Sequence, residues 1–292
     1  MREICSTGSE RGDRHKRLTS RPVPTRHTLP HSELMKSVAR RVVDGNMLHL
    51  IKMWLEAPVE ETDERGNKRR STRNRDEGRG SPQGSPISPL LSNLYMRRFV
   101  LGWKRLGHER RLEAYIVNYA DDLVICCRSQ AEEALATMRN MMSRLQLTVN
   151  DTKTRVCKLP EEKFDFLGYT FGRCYSPKTG RAYLGTTPSK KRVQRLCQAI
   201  SQETGRNKTL LAQGTVITTL NRMMVGWANY FCLGPVGKAY GAVERHARRR
   251  LRQWLCAKHK LRWPATKRYP EAALHRKLGL VELTTRRPAF RG

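Results

Sequence analysis

The spacing of apolar residues changes several times along the chain, and each change predicts an element. From His31 to Leu55 the positions Leu34, Val38, Val42, Leu48, Ile51 and Leu55 recur at helical spacing. Ser32 is the candidate N-cap, and Asp44–Gly45 marks a break. Residues 56–80 alternate acids and bases around Gly66–Asn67, the pattern of two exposed strands joined by a turn. "RGSPQGSPISPLLSNLYMRRFV", Arg79 to Val100, passes from prolines and glycines into an apolar run, which predicts a loop and then a helix with Pro89 in its first turn. "EAYIVNYA" and "DLVICCR" predict two strands that meet at Asp121–Asp122. Residues 131–145 predict an amphipathic helix through Leu135, Met138, Met142 and Leu145, its methionines filling core space. "NDTKTRVCKL" and "KFDFLGYTFG" predict two further short strands.

After Pro188 the strand pattern stops. Ser189 caps a predicted helix carrying Val193, Leu196, Cys197 and Ile200 on one face, with Gly205 as its stop. Thr209 to Leu233 predicts another, with Trp227, Tyr230 and Phe231 on its apolar, core-facing side. Arg245 to Arg262 holds eight Lys or Arg and no acid. The expected fold class is α+β: an antiparallel sheet with helices behind it, then an all-helical basic module. Residues 1–29 are rich in Arg, poor in large apolar residues and punctuated by Pro22 and Pro24, and they predict a disordered arm.

Charge narrows the partners. The 292 residues hold 57 Lys plus Arg against 26 Asp plus Glu, a formal net charge of +31. That excess calls for a polyanion, and nucleic acid is the expected one. The sequence has no apolar run long enough to span a bilayer, and its first thirty residues lack the apolar core of a signal peptide, so no membrane role is expected. None of the eight cysteines forms a CxxC pair. Neither a zinc site nor a redox pair is supported, and free thiols in a reducing cytosol are expected.

"NYADDLVICCRS", Asn118 to Ser129, is the segment with the clearest chemistry. Adjacent carboxylates repel, and a divalent cation is a common compensator. At the tip of a two-residue hairpin both would project together. Their oxygens suit Mg²⁺, which binds through one or two carboxylates plus substrate phosphates.

These segments, in this order, resemble the palm of reverse transcriptases, most closely the group II intron-encoded family. "GSPQGSPISPLLSNLYM" precedes "YADDLVICCRS", and "LTVNDTKTRV" and "FDFLGYTFG" follow it. The later "LNRMMVGWANYFCLG", with the basic helix after it, resembles the thumb and maturase region (domain X) of that family. The resemblance implies a partial palm over 30–175 and a thumb/maturase region over 176–292. It implies RNA-directed DNA polymerase activity, intron RNA binding with splicing assistance, and a role in intron mobility. Asp121 and Asp122 match the catalytic, metal-binding carboxylates. Tyr119 and Ala120 match positions beside the primer end, and Pro82, Gln83 and Gly84 match the loop beside nucleotide and template. Lys153 matches a basic residue near the incoming triphosphate. Phe166, Leu167 and Gly168 match an element supporting the primer. Lys190, Lys191 and Arg192, and the stripe Arg248, Arg249, Arg250 and Arg252, are expected to contact RNA.

The family's two Mg²⁺ ions need a third carboxylate from an earlier palm strand. "KRLTSRPVPTRHTL" contains no Asp and does not read as a strand, and Asp13 lies in "RGDRH", which does not match. No fingers segment is visible. The expectation is therefore an N-terminally truncated enzyme without its third ligand, with an exposed sheet edge and dependence on RNA or on a fingers–palm fragment. The alternative expectation is a non-catalytic RNA-binding maturase fragment or half of a split enzyme. Expected partners are group II intron RNA and a DNA primer or target. The expected location is cytoplasmic, at the nucleoid or in an intron ribonucleoprotein.

Overall fold

The computed structural model describes residues 2–7, 29–62, 68–80, 86–119, 122–152, 154–176, 178–261 and 268–285. The chain divides into two compact units, Met1–Leu159 and Pro160–Gly292. Both mix helices with antiparallel strands, or consist mostly of helix, as the α+β expectation has it.

In the first unit β1 (Arg2–Thr7) is followed by α1 (His31–Ala39) and α2 (Gly45–Glu56). The break falls where Asp44 accepts hydrogen bonds from the backbone N–H of Asn46 and Met47, so its side chain caps α2. β2 (Val59–Thr62) and β3 (Lys68–Ser71) form the expected charged hairpin. A short α3 (Arg73–Asp76) comes next, and its buried Asn74 donates from Nδ2 to the carbonyls of Leu55 and Ala57, which α2 leaves unpaired at its end. α4 (Ser88–Arg105) has Pro89 in its first turn. Leu91, Tyr95, Phe99 and Trp103 are its large buried side chains, each one turn beyond the last. Trp103 donates to the Ala114 carbonyl and Tyr95 to the Leu145 carbonyl, so both buried polar tips are satisfied. A short α5 (His108–Arg111) leads into β4 (Ala114–Tyr119), β5 (Asp122–Cys127), α6 (Ala131–Arg144) and β6 (Arg155–Leu159).

The sheet of this unit runs β4-β5-β1-β6. The expected disordered arm is therefore corrected at its start: Arg2–Thr7 is a strand, and an interior one. Glu3↔Cys127 to Thr7↔Leu123 register it on β5, and Arg2↔Leu159 to Ser6↔Arg155 register it on β6. The cause is non-local. β5 and β6 each present a row of backbone donors and acceptors, and any short chain able to extend can satisfy both rows at once. The expected open edge at this place in the sheet is closed by β1. The remainder of the expected arm lies outside the described residues. One side of the sheet is covered: Phe99, Trp103, Leu112, Ala114, Leu123, Ile125, Cys127 and Met138 form one core cluster.

The second unit begins with β7 (Phe164–Phe166), β8 (Tyr169–Tyr175) and β9 (Ala182–Pro188). "KFDFLGYTFG", expected as one strand, is a hairpin. Leu167 and Gly168 both have positive φ (52° and 86°) and close a two-residue turn between the paired Phe166 and Tyr169. Three helices follow: α7 (Lys190–Glu203), capped by the Ser189 side chain as expected, α8 (Gln213–Tyr230) and α9 (Gly237–Lys258). They pack around Leu196, Ile200, Val216, Leu220, Met224, Val243, Leu251 and Trp254. Phe231 is buried as expected, but Tyr230 is 55% exposed and its hydroxyl donates to the Leu167 carbonyl. The last described segment is pinned by the buried Glu244, whose carboxylate accepts from the Thr284 backbone and hydroxyl.

Candidate active site and nucleic-acid interface

β4 and β5 pair from Ala114↔Cys127 to Tyr119↔Asp122. The loop between them is thus two residues long, Ala120 and Asp121, and both lie outside the described residues. Residues directly opposite in an antiparallel pair share a face, so Asp122 is on the face of Tyr119. Successive side chains alternate sides. Ala114 and Ile116 join the covered core, while Tyr115, Val117 and Tyr119 are 59%, 48% and 64% exposed. The half-buried Asp122 therefore stands at the end of an open aromatic strip. On the covered face, Asn118 Oδ1 is buried without a hydrogen-bond partner among the described residues. β1 ends beside this tip, with Thr7 in register with Leu123.

Among the described residues no group of three His, Cys, Asp or Glu side chains is placed to hold a metal. The donor chemistry at the hairpin is two carboxylates on consecutive residues, a hard-oxygen set that fits Mg²⁺. Pro82, Gln83, Gly84 and Lys153 lie outside the described residues. Their flanks are well held: His31 donates from Nε2 to the Gly80 carbonyl at 2.7 Å, and Gly80 N–H donates to Leu29 O at 3.0 Å.

In the second unit the expected RNA contacts separate into two kinds. Lys190 and Lys191 are exposed at the start of α7, and Arg249 is exposed on α9. The other three arginines of the expected stripe are committed inside the unit. Arg250 donates to the carbonyls of Ser201 and Thr204 and to the Thr204 hydroxyl, which places a cation on the C-terminal end of α7, where unpaired carbonyls gather. Arg248 pairs with Glu271. Arg252 donates to Tyr269 O at 2.8 Å, and burial, with the neighbouring Arg248, lowers its pKa. Burial and the Arg249 charge likewise lower the pKa of His246, whose Nε2 is 2.9 Å from Ser201 Oγ. The basic run on α9 is thus partly internal scaffolding. Tyr115 and Val117 extend the expected position Tyr119 into a strip, and the period-two tyrosines are its signal in the sequence.

The "FLG" element is a fold device in this arrangement. Ser189 N–H donates to Gly168 O, Tyr230 to Leu167 O, and the half-buried Arg192 lies against Gly168. A Cβ at Gly168 would stand 2.9 Å from Arg192 Nε and 3.1 Å from Phe231 Cζ, with φ at +86°. Gly168→Ala is expected to cost about 2 kcal/mol, mostly from the left-handed backbone. Thermal unfolding should show a drop of several degrees, and an unchanged midpoint would sink this account.

Residues 27–171 match the family model for reverse transcriptase (RNA-dependent DNA polymerase), and residues 193–269 match that for the group II intron maturase-specific domain. The chain belongs to the group II intron reverse transcriptase/maturase family. The two matches lie in the expected order, the first spanning the hairpin and the second most of α7 to α9. No curated protein matches the sequence. Among solved structures, the telomerase of Candida albicans in complex with a fragment of telomeric RNA is similar at 13% identity and a TM-score of 0.42, over 89% of this chain and 48% of that one. The apo telomerase of Candida tropicalis is similar at 10% identity and a TM-score of 0.44, over 92% and 44%. The chain therefore spans less than half the length of these proteins.

Proposed function

We propose that the protein works in RNA-directed DNA synthesis of the group II intron type and binds intron RNA to assist splicing and mobility. The observation that supports this best is the β4–β5 hairpin, whose register leaves a two-residue tip carrying Asp121 next to Asp122, in a chain of that family. Asp121 and Asp122 would hold Mg²⁺. The bound ion would supply charge neutralisation and Lewis-acid polarisation of phosphoryl oxygens. Tyr119, with Val117 and Tyr115 behind it, offers an open apolar strip on which the end of a primer rests. Pro82, Gln83 and Gly84 flank nucleotide and template, and Lys153 stands as proton donor to the departing pyrophosphate. The catalytic contribution of these residues is positioning and charge placement, which suffices for phosphoryl transfer. The maturase-specific match and the charge of +31 favour an RNA partner. Lys190, Lys191 and Arg249 are the exposed residues assigned to it in the second unit. The working location follows as an intron ribonucleoprotein in the cytoplasm.

Primer extension on an RNA template with Mg²⁺ tests the reading. It is run with the chain alone and with an added fingers–palm fragment of a related enzyme. Product is expected, and Asp121→Asn with Asp122→Asn should reduce it at least about a thousandfold, the kinetic equivalent of losing several kcal/mol of charge stabilisation. Absence of product in both arms would reject polymerisation.

A further inference from the structure

α4 has a second face beside its buried one. Leu94, Arg97, Arg98, Leu101 and Arg105 lie along it as pairs three or four residues apart, Leu94 with Arg97 and Arg98, these with Leu101, and Leu101 with Arg105. Ser37 of α1, with Arg40 and Arg41 just past its C-terminal end, stands across from them, and together they enclose a cavity of about 430 Å³. Its lining contains five arginines and no acid. Two of the five are tethered. Arg98 bonds Glu33 at 3.0 Å and lies over the Tyr95 ring, and Arg41 donates to Ser37 O at 2.8 Å. Arg40, Arg97 and Arg105 are exposed, and their guanidinium groups have no hydrogen bond or ion pair among the described residues.

Like charges gathered around a concavity repel one another, and the fold gains nothing from them unless an anion enters. Guanidinium groups match the paired oxygens of a phosphate, and several on one wall suit a chain of phosphates. The volume lies in the range of a small-ligand site, so one nucleotide unit fits. Leu94 and Leu101 give it an apolar floor for a sugar or base face.

The place of the cleft matters as much as its charge. α4 packs through Phe99 and Trp103 on the covered side of the sheet, and Tyr119 and Asp122 face the other side. A strand lying on the open face does not enter the cleft. We propose that the α1–α4 cleft is a second RNA site, gripping the phosphate backbone of a structured RNA on the opposite side of the sheet from the hairpin. This rests on RNA being the partner and is independent of polymerisation.

The test compares two triple variants of the full chain. One is Arg40→Ala, Arg97→Ala, Arg105→Ala. The other removes three exposed basic groups elsewhere in the same unit, Lys52→Ala, Arg75→Ala, Arg110→Ala. The probe is a fluorescently labelled RNA stem–loop with a single-stranded flank, titrated by anisotropy at several salt concentrations. The cleft triple is expected to lower the salt slope by about two and to weaken binding at physiological salt roughly ten- to a hundredfold. The control should lose much less. Cross-linking from 4-thiouridine in the probe is expected on the peptide holding Leu94 to Arg105 and should vanish in the cleft triple. Equal losses in both triples with no cross-link there would reduce the cleft to general charge and overturn the proposal. Displacement of the RNA by millimolar nucleoside triphosphate would also overturn it, in favour of a free-nucleotide pocket. An Asp121→Asn, Asp122→Asn chain should bind the probe like the unaltered protein. Loss of polymerisation with intact cleft binding thus separates the two readings.

Discussion

Cys5→Pro is expected to break the first unit, whereas Cys5→Ala leaves it folded. Cys5 is registered with Ile125 on one side and Val156 on the other, in the middle of a strand flanked by two others. Proline has no N–H to give to either ladder, and its ring needs space that an interior strand lacks. One buried carbonyl then loses its donor, at about 1–3 kcal/mol, and displacement of the ring strains the pairs beside it. The whole effect should reach about 3–5 kcal/mol, the upper end for single substitutions. Once β1 leaves, β5 and β6 both become open edges, so the variant should also aggregate. Amide exchange over Leu123–Cys127 and Arg155–Leu159 reads the effect directly. Fast exchange in the Pro variant with protection in the Ala variant is the expected pattern. Protection in both would mean that β1 does not hold the sheet. The same strand ends beside Asp122, so its loss should also blunt the proposed RNA-templated synthesis, even with every residue of the hairpin unchanged.

What the sequence discloses follows the range of the interactions. α1, α2, α4, α6, α7 and α8 are legible because each repeats apolar residues at 3.6-residue spacing and carries local stop signals such as Asp44–Gly45 and Gly205. The β4–β5 hairpin and its Asp pair are legible for the same reason, lying within a dozen residues, but the turn falls one position earlier than expected: Asp122, expected at the tip, is the first residue of β5, paired with Tyr119. β1 is not legible. "REICST" has one large apolar residue, and its conformation is decided by two strands more than a hundred positions away. The β7–β8 turn was missed because Leu167 holds the first of two positive-φ positions, where Asn, Asp or Gly is the usual signal. On α9, counting charges suggested a solvent-facing stripe. Arg248, Arg250 and Arg252 instead meet carbonyls or a carboxylate brought by α7 and by residues 268–285, partners that spacing along one helix cannot reveal. The candidate site was therefore readable at its carboxylates and unreadable where distant chain segments select which arginines remain free.

The close approach between the α8–α9 connection and β9 should make Gly234→Ala the most damaging single change in the second unit. Gly234 has φ of +77°, which costs an L-residue about 1–2 kcal/mol. The larger penalty is steric. A Cβ there would sit 1.9 Å from the Thr186 carbonyl oxygen, so one backbone segment must move by more than an ångström. Neither can yield cheaply. Thr186 is registered with Phe171 in the β8–β9 ladder. The connection is held by Leu233 N–H on the Tyr169 hydroxyl and by the buried Tyr240, which donates to the carbonyls of Ala228 and Phe231. Relieving the clash therefore breaks either the hairpin or the junction of α8 with α9, and the expected cost is 4 kcal/mol or more, an exceptional value for one methyl group. Gly226→Ala is the control. It lies inside α8 with nothing within 4 Å of the added carbon, and it should stabilise by about 0.5–1 kcal/mol through helix propensity. Denaturant unfolding of both variants decides the matter: equal midpoints would show that the connection tolerates displacement. A collapse confined to Gly234→Ala would show that the geometry of this junction hangs on a missing side chain.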